Sequence, residues 1–377
     1  MNESTPKKVV FLTGTRADFG KIKSLLRSLN NSGSFSISLF VTGMHMLSRY
    51  GYTFEEVRSL SIGEIYTFIN QNEGDSMEST FAKTVSGFSD FVQEVKPDLV
   101  VVHGDRIETL AGATVGALAG ILVAHIEGGE VSGTIDELIR HAVTKLAHVH
   151  FVSNEAAMRR VQQLGEDASS IYTIGSPDID VMDSQDLPDL FRVKEYYDIT
   201  FDDYAVALYH PVTTESSQLL HDVKVLVDYM ISSNKNFVVI HPNNDPGSNI
   251  IVQEFERLRD NPRFRIFPSM RFEYFLTALK NSQFIIGNSS AGVREAPHFG
   301  VPAVNLGTRQ YRRASSPLVL NSDLDEGNIA QTVEAALSMV RTPDSHFGDG
   351  NSAQLFAEIL QRHEIWDIPI QKSFVDR

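Results

Sequence analysis

The strongest constraint on this chain is a rhythm. Short, continuously apolar, β-branched runs recur, most of them followed by a helical stretch of roughly ten to twenty residues. The first set is Val9–Leu12, Phe35–Val41, Leu99–Val102, Ile121–Val123, Val149–Val152 and Ile171–Ile174. A second set follows at Ala205–Tyr209, Phe237–Ile240, Phe264–Phe267, Phe284–Ile286 and Val301–Val304. Alternation of strand and helix implies parallel sheets with right-handed crossovers, and unbroken apolar runs imply strands covered on both faces. In Phe35–Val41 serines alternate with apolar residues, which predicts a place nearer a sheet edge. Asp178–Phe191, rich in Asp and broken by Pro188, reads as a linker. The fold class expected is α/β: two Rossmann-like, doubly wound parallel-sheet domains facing across a cleft, which suits 377 residues at about 150 per domain. Ligands in such folds sit beyond the carboxyl ends of the strands, so the residues there carry the functional information.

Composition removes several classes of function. Apolar residues are 42% and charged residues 21%, enough for a core and unlike a disordered chain. A net charge of −15 argues against nucleic-acid or anionic-membrane binding, though local arginines and backbone N–H groups can still hold a phosphate. With no cysteine there are no disulfides, thiol catalysis or Cys-ligated metals. The uncharged stretch Thr109–Ile126 contains Gly112, Gly116, Gly120 and His125, and suits a buried helix followed by a buried strand better than a membrane span. The apolar run after Lys8 is too short for a signal peptide, so a soluble, cytoplasmic protein is expected.

Ionisable and small residues gather at the strand ends. Strand one ends in Thr13-Gly14-Thr15-Arg16-Ala17-Asp18, where Arg16 either caps a phosphate or is a solvated turn residue. Next come His103-Gly104-Asp105-Arg106 and His125-Ile126-Glu127-Gly128-Gly129-Glu130, then Ser132-Gly133-Thr134, Asp136 and Arg140-His141. Asp105 and Arg106 could form a surface ion pair, Glu130 reads as a solvated loop acid, and Asp136 could serve a helix dipole. Glu127 emerges directly from an apolar strand, where a solvated role is harder to sustain. Asp105, Glu127 and Asp136 would converge from adjacent strand ends, the crowding that spreads carboxyl pKa values into donor and acceptor roles. A cation held with His103, His125 and His141 is the competing reading, but no recognised ligand spacing exists, so no metal is expected.

In the second half His210 heads His210-Pro211-Val212-Thr213-Thr214-Glu215, either a donor to a phosphate or a hydrogen-bonded loop histidine. His241-Pro242-Asn243-Asn244-Asp245 follows the next strand. Gly287-Asn288-Ser289-Ser290-Ala291-Gly292, at a helix start, offers hydroxyls and N–H groups to a diphosphate. Glu295, read as one to two turns into that helix, could accept from ribose hydroxyls. Arg309, Arg312 and Arg313 then add positive charge.

These motifs in combination resemble the hydrolysing UDP-N-acetylglucosamine 2-epimerases, which release N-acetylmannosamine for sialic-acid synthesis. The carriers are Thr-Arg-Ala-Asp at 15–18, His-Gly-Asp-Arg at 103–106, Ile-Glu-Gly-Gly-Glu at 126–130, Ser-Gly-Thr-Ile-Asp at 132–136, His-Pro-Val-Thr-Thr-Glu at 210–215, Asn-Ser-Ser-Ala-Gly-Val-Arg-Glu at 288–295 and Gly-Thr-Arg-Gln at 307–310. The likeness runs from about Lys8 to Asp376 and implies the GT-B glycosyltransferase fold. It implies domains at 1–177 and 178–355, with a C-terminal helix and tail, 356–377, crossing back to the first. It implies Asp105, Glu127 and Asp136 as catalytic carboxylates and His210 at the departing phosphate. Arg16, Arg106, Asn243, Ser289, Ser290, Glu295 and Arg309 are implied around UDP; Gly20 stands where some relatives carry a hydroxyl.

The expected reaction takes UDP-N-acetylglucosamine and water to N-acetylmannosamine and UDP through a glycal, with no cofactor. Gly-Thr-Ile-Asp followed by Arg140-His141 separates the chain from the non-hydrolysing branch, which shares the fold. A 2,4-diacetamido-2,4,6-trideoxy sugar nucleotide is the alternative substrate, and a glycosyltransferase or a nucleotide-sugar sensor the more distant ones. A homodimer or homotetramer is expected, without nucleic-acid or membrane partners. Closure on UDP is expected to hinge on the segment after Gly175, with Asp178, Asp180, Asp183 and Pro188.

Overall fold

Apolar runs bounded by glycine and polar turns become strands. The structure, a computed structural model, describes residues 6–376 except 73, 133–134, 213–214, 244 and 311–315. Two compact units result. The first draws on residues up to Glu130, Asp136–Asp183 and Phe347 onward; the second on Val131–Ile135 and Ser184–His346.

The first unit holds a seven-stranded sheet: β1 (Lys7–Thr13), β2 (Phe35–Val41), β3 (Glu64–Thr67), β4 (Leu99–His103), β5 (Leu122–Ile126), β6 (Val149–Val152) and β7 (Ile171–Thr173). Its order is β3-β2-β1-β4-β5-β6-β7, every pair parallel. The second unit repeats the plan with β8 (Ala205–Leu208), β9 (Phe237–Ile240), β10 (Phe264–Phe267), β11 (Ile285–Gly287), β12 (Ala303–Leu306) and β13 (Val319–Ser322), ordered β10-β9-β8-β11-β12-β13 and again parallel. In both sheets the order reverses at the first strand, between β1 and β4 and between β8 and β11. That reversal opens a crevice at the strand carboxyl ends.

The α/β, doubly wound class read from the sequence is the one observed, with two strands added. β3 and β13 are edge strands, and their sequences, Glu64-Ile65-Tyr66-Thr67 and Val319-Leu320-Asn321-Ser322, lack a long apolar run because part of each faces solvent. Phe35–Val41 lies near the sheet edge as expected, one strand in: β3 covers it, and its last five residues are buried. Thr109–Ile126 divides as expected into the end of a helix, Ile107–Leu118, and the buried strand β5. Among the described residues no helix is long and apolar enough to cross a membrane.

The supposed linker is corrected at its start. Pro177–Met182 is a helix within the first unit, begun by proline at its first position. Asp178 is fully buried and pairs with Lys21 at 2.9 Å. Asp180 accepts from the Ser352 and Ala353 N–H groups at 2.9 and 2.6 Å, capping the helix Ser352–Leu360. These aspartates are acidic because they satisfy buried partners, not because the segment is solvated. The helix capped by Asp180 sends Phe356 into the first core, edge-on to Phe11 at 6.2 Å and Phe151 at 4.7 Å. Burying such a ring contributes roughly 1.5–3 kcal/mol. The second core centres on Phe237, stacked on Phe264 at 5.8 Å and edge-on to Phe284 at 6.3 Å.

Candidate active site

In the first unit the crevice is lined by the ends of β1, β4 and β5. After β1, Thr15 caps the helix Arg16–Ser32 by accepting from the Asp18 N–H at 3.2 Å, and Asp18 accepts in return from the N–H groups of Gly14 and Thr15 at 3.1 and 3.2 Å. The Thr13 hydroxyl also donates to Asp18. Burial raises the Asp18 pKa despite these bonds and a nearby His103. Beneath it His45 lies with Nε2 3.0 Å from the Thr13 hydroxyl oxygen and Nδ1 2.6 Å from that of Thr53. Burial holds His45 at about 3, so the ring is neutral. With the Thr13 proton directed at Asp18, Nε2 donates to Thr13 and Nδ1 accepts from Thr53. Arg16 pairs with Glu56 at 2.7 Å, and the Arg106 Nε lies 4.0 Å from the buried Glu108.

At the ends of β4 and β5 the predicted acids meet a shared scaffold. Glu127 is buried and has a left-handed backbone, φ 64°, with its N–H donated to the Phe151 carbonyl at 2.9 Å. A non-glycine residue held there costs about 1–3 kcal/mol and persists only where its surroundings enforce it. Its Oε1 accepts from the Ser176 hydroxyl, and its Oε2 lies 3.4 Å from His103 Nε2. Gly104 donates its N–H to the Ile126 carbonyl at 3.0 Å, tying the two loops together. Asp105 does not pair with its neighbour Arg106 but with Arg140, which is buried in the helix Ile135–Leu146. Asp136, in the first turn of that helix, lies one turn before Arg140 on the same face. Asp105, Glu127 and Asp136 thus belong to one linked set: Glu127 to His103, then Asp105 to Arg140 and the helix of Asp136. Asp136 also occupies the position suited to a helix dipole, so both readings of it stand on the same geometry.

One expectation changes here. Glu130 is buried, not solvated, and accepts from the Ser153 hydroxyl at 2.5 Å. The turn carrying it packs so closely on the helix Glu155–Gln163 that a Cβ on Gly129 would meet the Ala157 carbonyl oxygen at 2.3 Å. Both ring nitrogens of His125 have protein partners: Nε2 lies 2.8 Å from the Gly104 carbonyl oxygen and Nδ1 3.2 Å from the Thr144 hydroxyl, and burial holds the ring neutral, at about 3. His141 faces Glu137 on its own helix at 3.7 Å. Among the described residues no group of three or more His, Asp or Glu is arranged to hold a metal ion.

In the second unit one asparagine organises the crevice. Asn288 is fully buried; its side chain accepts from the His210 N–H at 2.7 Å and donates to the His210 carbonyl at 2.8 Å. Its own carbonyl accepts from Arg309 Nη1 at 3.3 Å and Gln310 Nε2 at 2.9 Å. The Asn243 N–H donates to His210 Nδ1 at 3.2 Å, which places the proton of the neutral ring on Nε2. Asn288 can reach His210 because Gly287, φ 135°, passes so near β8 that a Cβ would lie 2.1 Å from the Leu208 carbonyl oxygen. His210, Asn243, Ser289, Ser290 and Arg309 are therefore brought into one neighbourhood, with Ser289 capping a single turn, Ser290–Gly292. Glu295 is not one to two turns into a helix: a four-residue helix, Glu295–His298, follows, with Pro297 inside it, and buried Glu295 is its first residue. An anion held here would rely on individual N–H and hydroxyl groups, since so short a helix sums little dipole. Thr213, Thr214, Asn244 and the Tyr311-Arg312-Arg313 part of the basic run, like Gly133 and Thr134, lie outside the described residues.

Sequence reasoning did not single out Arg140, Ser176, Asn288 or Asp18 as site residues. The four-residue spacing of Asp136 and Arg140 was a usable signal. Ser176 had none, because its partner lies far away in sequence.

The UDP-N-acetylglucosamine 2-epimerase family pattern matches residues 27–361. A UDP-N-acetylglucosamine 2-epimerase of Neisseria meningitidis is 44% identical over 98% of this chain and 99% of its own length. A UDP-N,N'-diacetylbacillosamine 2-epimerase (hydrolyzing) of Legionella pneumophila is 32% identical over 98% of each. Among solved structures, a Methanocaldococcus jannaschii UDP-GlcNAc 2-epimerase in complex with UDP-GlcNAc and UDP matches with TM-score 0.79 and 21% identity, covering 94% of this chain and 99% of that one. At that identity the match speaks for the fold, the GT-B class. A family pattern spanning most of the sequence and a relative 44% identical end to end lead to one conclusion: the chain belongs to the UDP-N-acetylglucosamine 2-epimerase family.

Proposed function

We propose that this protein is a hydrolysing UDP-N-acetylglucosamine 2-epimerase that supplies N-acetylmannosamine for sialic-acid synthesis. A carboxylate removes the proton at the sugar's second carbon. The electron pair forms the double bond to the first carbon, and the bond from that carbon to the UDP oxygen breaks, leaving a glycal and UDP. Water then adds its hydroxyl to the first carbon, and a proton enters the second carbon from the opposite face. Asp105, Glu127 and Asp136 share these two proton tasks, each typically worth about 100- to 10,000-fold in rate.

His210, with its proton on Nε2, is suited to donate to the departing phosphate, and Asn243, Ser289, Ser290 and Arg309 supply further donors to UDP. Glu295 takes ribose hydroxyls, and Arg16 and Arg106 complete the UDP set. The observation that carries the reading is Glu127: a buried carboxylate on an unfavourable backbone conformation, linked through His103 and the β4 loop to a second acid. Strain of this kind at a strand end is a mark of functional constraint.

Incubation with UDP-N-acetylglucosamine followed by NMR tests the proposal. Free N-acetylmannosamine and UDP are expected, with one solvent deuterium at the second carbon in heavy water. An epimer still carrying UDP would place the chain in the non-hydrolysing branch. The Legionella relative supports a second reading, the same reaction on a UDP-2,4-diacetamido-2,4,6-trideoxy sugar. Faster turnover of that nucleotide in direct competition would select it.

A further inference from the structure

We propose that Ser176 is the positioning residue of the reaction: its hydroxyl holds the Glu127 carboxylate in one orientation and favours its ionised form. The inference rests on the reading of Glu127 as a catalytic acid. The fold goes to unusual lengths to place this hydroxyl. Gly175 and Gly348 cross at close range, with φ of 81° and 123°, and a Cβ on Gly348 would lie 2.9 Å from the Gly175 Cα. Only glycine at both positions lets the two backbones approach so closely.

Across that crossing the Ser176 N–H donates to the Phe347 carbonyl at 2.7 Å. On its other side Pro177 starts a helix whose Asp178 is fixed by Lys21 and whose Asp180 is fixed by the N–H groups of Ser352 and Ala353. Ser176 itself is fully buried. A backbone pinned from both directions therefore presents one hydroxyl proton to Glu127 Oε1, while Oε2 lies beside His103. A glutamate side chain has three rotatable bonds, and a carboxylate must meet a C–H bond within a narrow range of distance and angle to accept its proton. A hydrogen bond donated to the ionised form also lowers the pH at which the base becomes competent.

The test compares Ser176→Ala with Glu127→Gln in the full chain. Ser176→Ala is expected to lower kcat about ten- to a hundredfold, with KM and UDP affinity unchanged and the acid limb of the kcat–pH profile moved to higher pH. Ser176→Cys, near in size but a weaker donor, should fall between, and serves as the reading if Ser176→Ala folds poorly. Native kcat with a native pH profile in either folded variant, beside an inactive Glu127→Gln, would overturn the role of Ser176. Near-native turnover in Glu127→Gln would instead overturn the catalytic reading of Glu127 itself.

Discussion

The first sheet buries acids at both of its ends, and the two ends treat them differently. At the amino ends of β6 and β7, Glu166 receives Lys145 and Lys372 at 2.6 Å each and His150 at 3.1 Å. Burial alone would raise its pKa, but the hydrogen bonds from His150, Lys145 and Lys372 outweigh that and hold it at about 2. At the carboxyl ends of β1, β4 and β5, Asp18 moves the opposite way: burial lifts its pKa in spite of three hydrogen bonds. Glu127 sits beside a hydroxyl and an imidazole. Glu166 is an acid locked into its charge, as a structural joint requires. At the strand carboxyl ends, burial instead leaves Asp18 nearer its neutral form than a solvated carboxyl would be.

The two ends are joined by one helix. Ile135–Leu146 carries Asp136 and Arg140 in its first half, and its final carbonyls accept from the Lys372 ammonium, at 3.4 Å for Thr144 and 2.9 Å for Lys145, with Ala147 beyond. Lys372 belongs to a tail also fastened by the Ile370 carbonyl, 3.0 Å from His148 Nε2, and by the Val375 N–H, donated to the Gly165 carbonyl at 3.0 Å. The Phe374 ring packs against Gly165, where a Cβ would lie 2.3 Å from it.

The contrast can be broken most directly by exchanging the acids. Glu166→Gln removes the anion that the exposed Lys145 and the partly exposed Lys372 share and should cost about 1.5–3 kcal/mol of stability in urea unfolding, with kcat at 25 °C within about threefold of the parent. A matching collapse of kcat would mean that the two ends are not separable. Glu127→Gln, Asp105→Asn and Asp136→Asn should do the reverse. Each is expected to lower kcat at least about 100-fold, close to 2.7 kcal/mol, while UDP binding persists in calorimetry. Near-normal turnover in any one removes that acid from the mechanism.

Arg309→Ala extends the test to the second unit. Loss of a charge-assisted hydrogen bond should weaken UDP affinity about ten- to a hundredfold. Unchanged affinity would leave Arg309 as a brace for the Asn288 loop alone.

The smallest expected effect is that of Asp18 on the pH dependence of stability, set against three larger ones. Glu166 protonates near 4.5 when unfolded and near 2 when folded, so its contribution is complete above pH 4.5 and disappears as the pH falls towards 2. His45 and His125 act in the same direction: their unfolded value of 6.5 drops to about 3, so stability declines as the pH falls through that window. Asp18 has the opposite sign, since a raised folded pKa makes ionisation above 3.8 a loss. Asp18→Asn should therefore leave stability at pH 7 unchanged or higher by up to about 1 kcal/mol in urea titrations. A marked loss would show that the Asp18 charge is needed structurally.

The core strands were legible in the sequence because a strand covered on both faces must be apolar throughout, as Val9–Leu12 and Phe237–Ile240 are. β3 and β13 were not, because these edge strands mix polar and apolar residues over only four positions, whereas the edge strands β7 and β10 keep readable apolar and aromatic runs. The glycine-flanked acids at strand ends could be read as candidates, since Asp105 and Glu127 follow apolar strands directly. Their pairings could not, because Ser176 reaches Glu127 and Arg140 reaches Asp105 only after the chain has folded back.

What the sequence by itself determined is the alternation that builds two parallel sheets, and the residue types at the strand carboxyl ends, both of them consequences of local pattern. What tertiary structure decided is the state of each charged group. Glu130 read as a solvated loop acid and Asp178 as part of a linker, and both are buried with partners; His125, weighed as a metal ligand and set aside, is a neutral hydrogen-bonding post. The physical reason is the same in each case. A carboxylate or imidazole takes its charge from the water it loses and the donors it gains, and both come from segments distant in sequence.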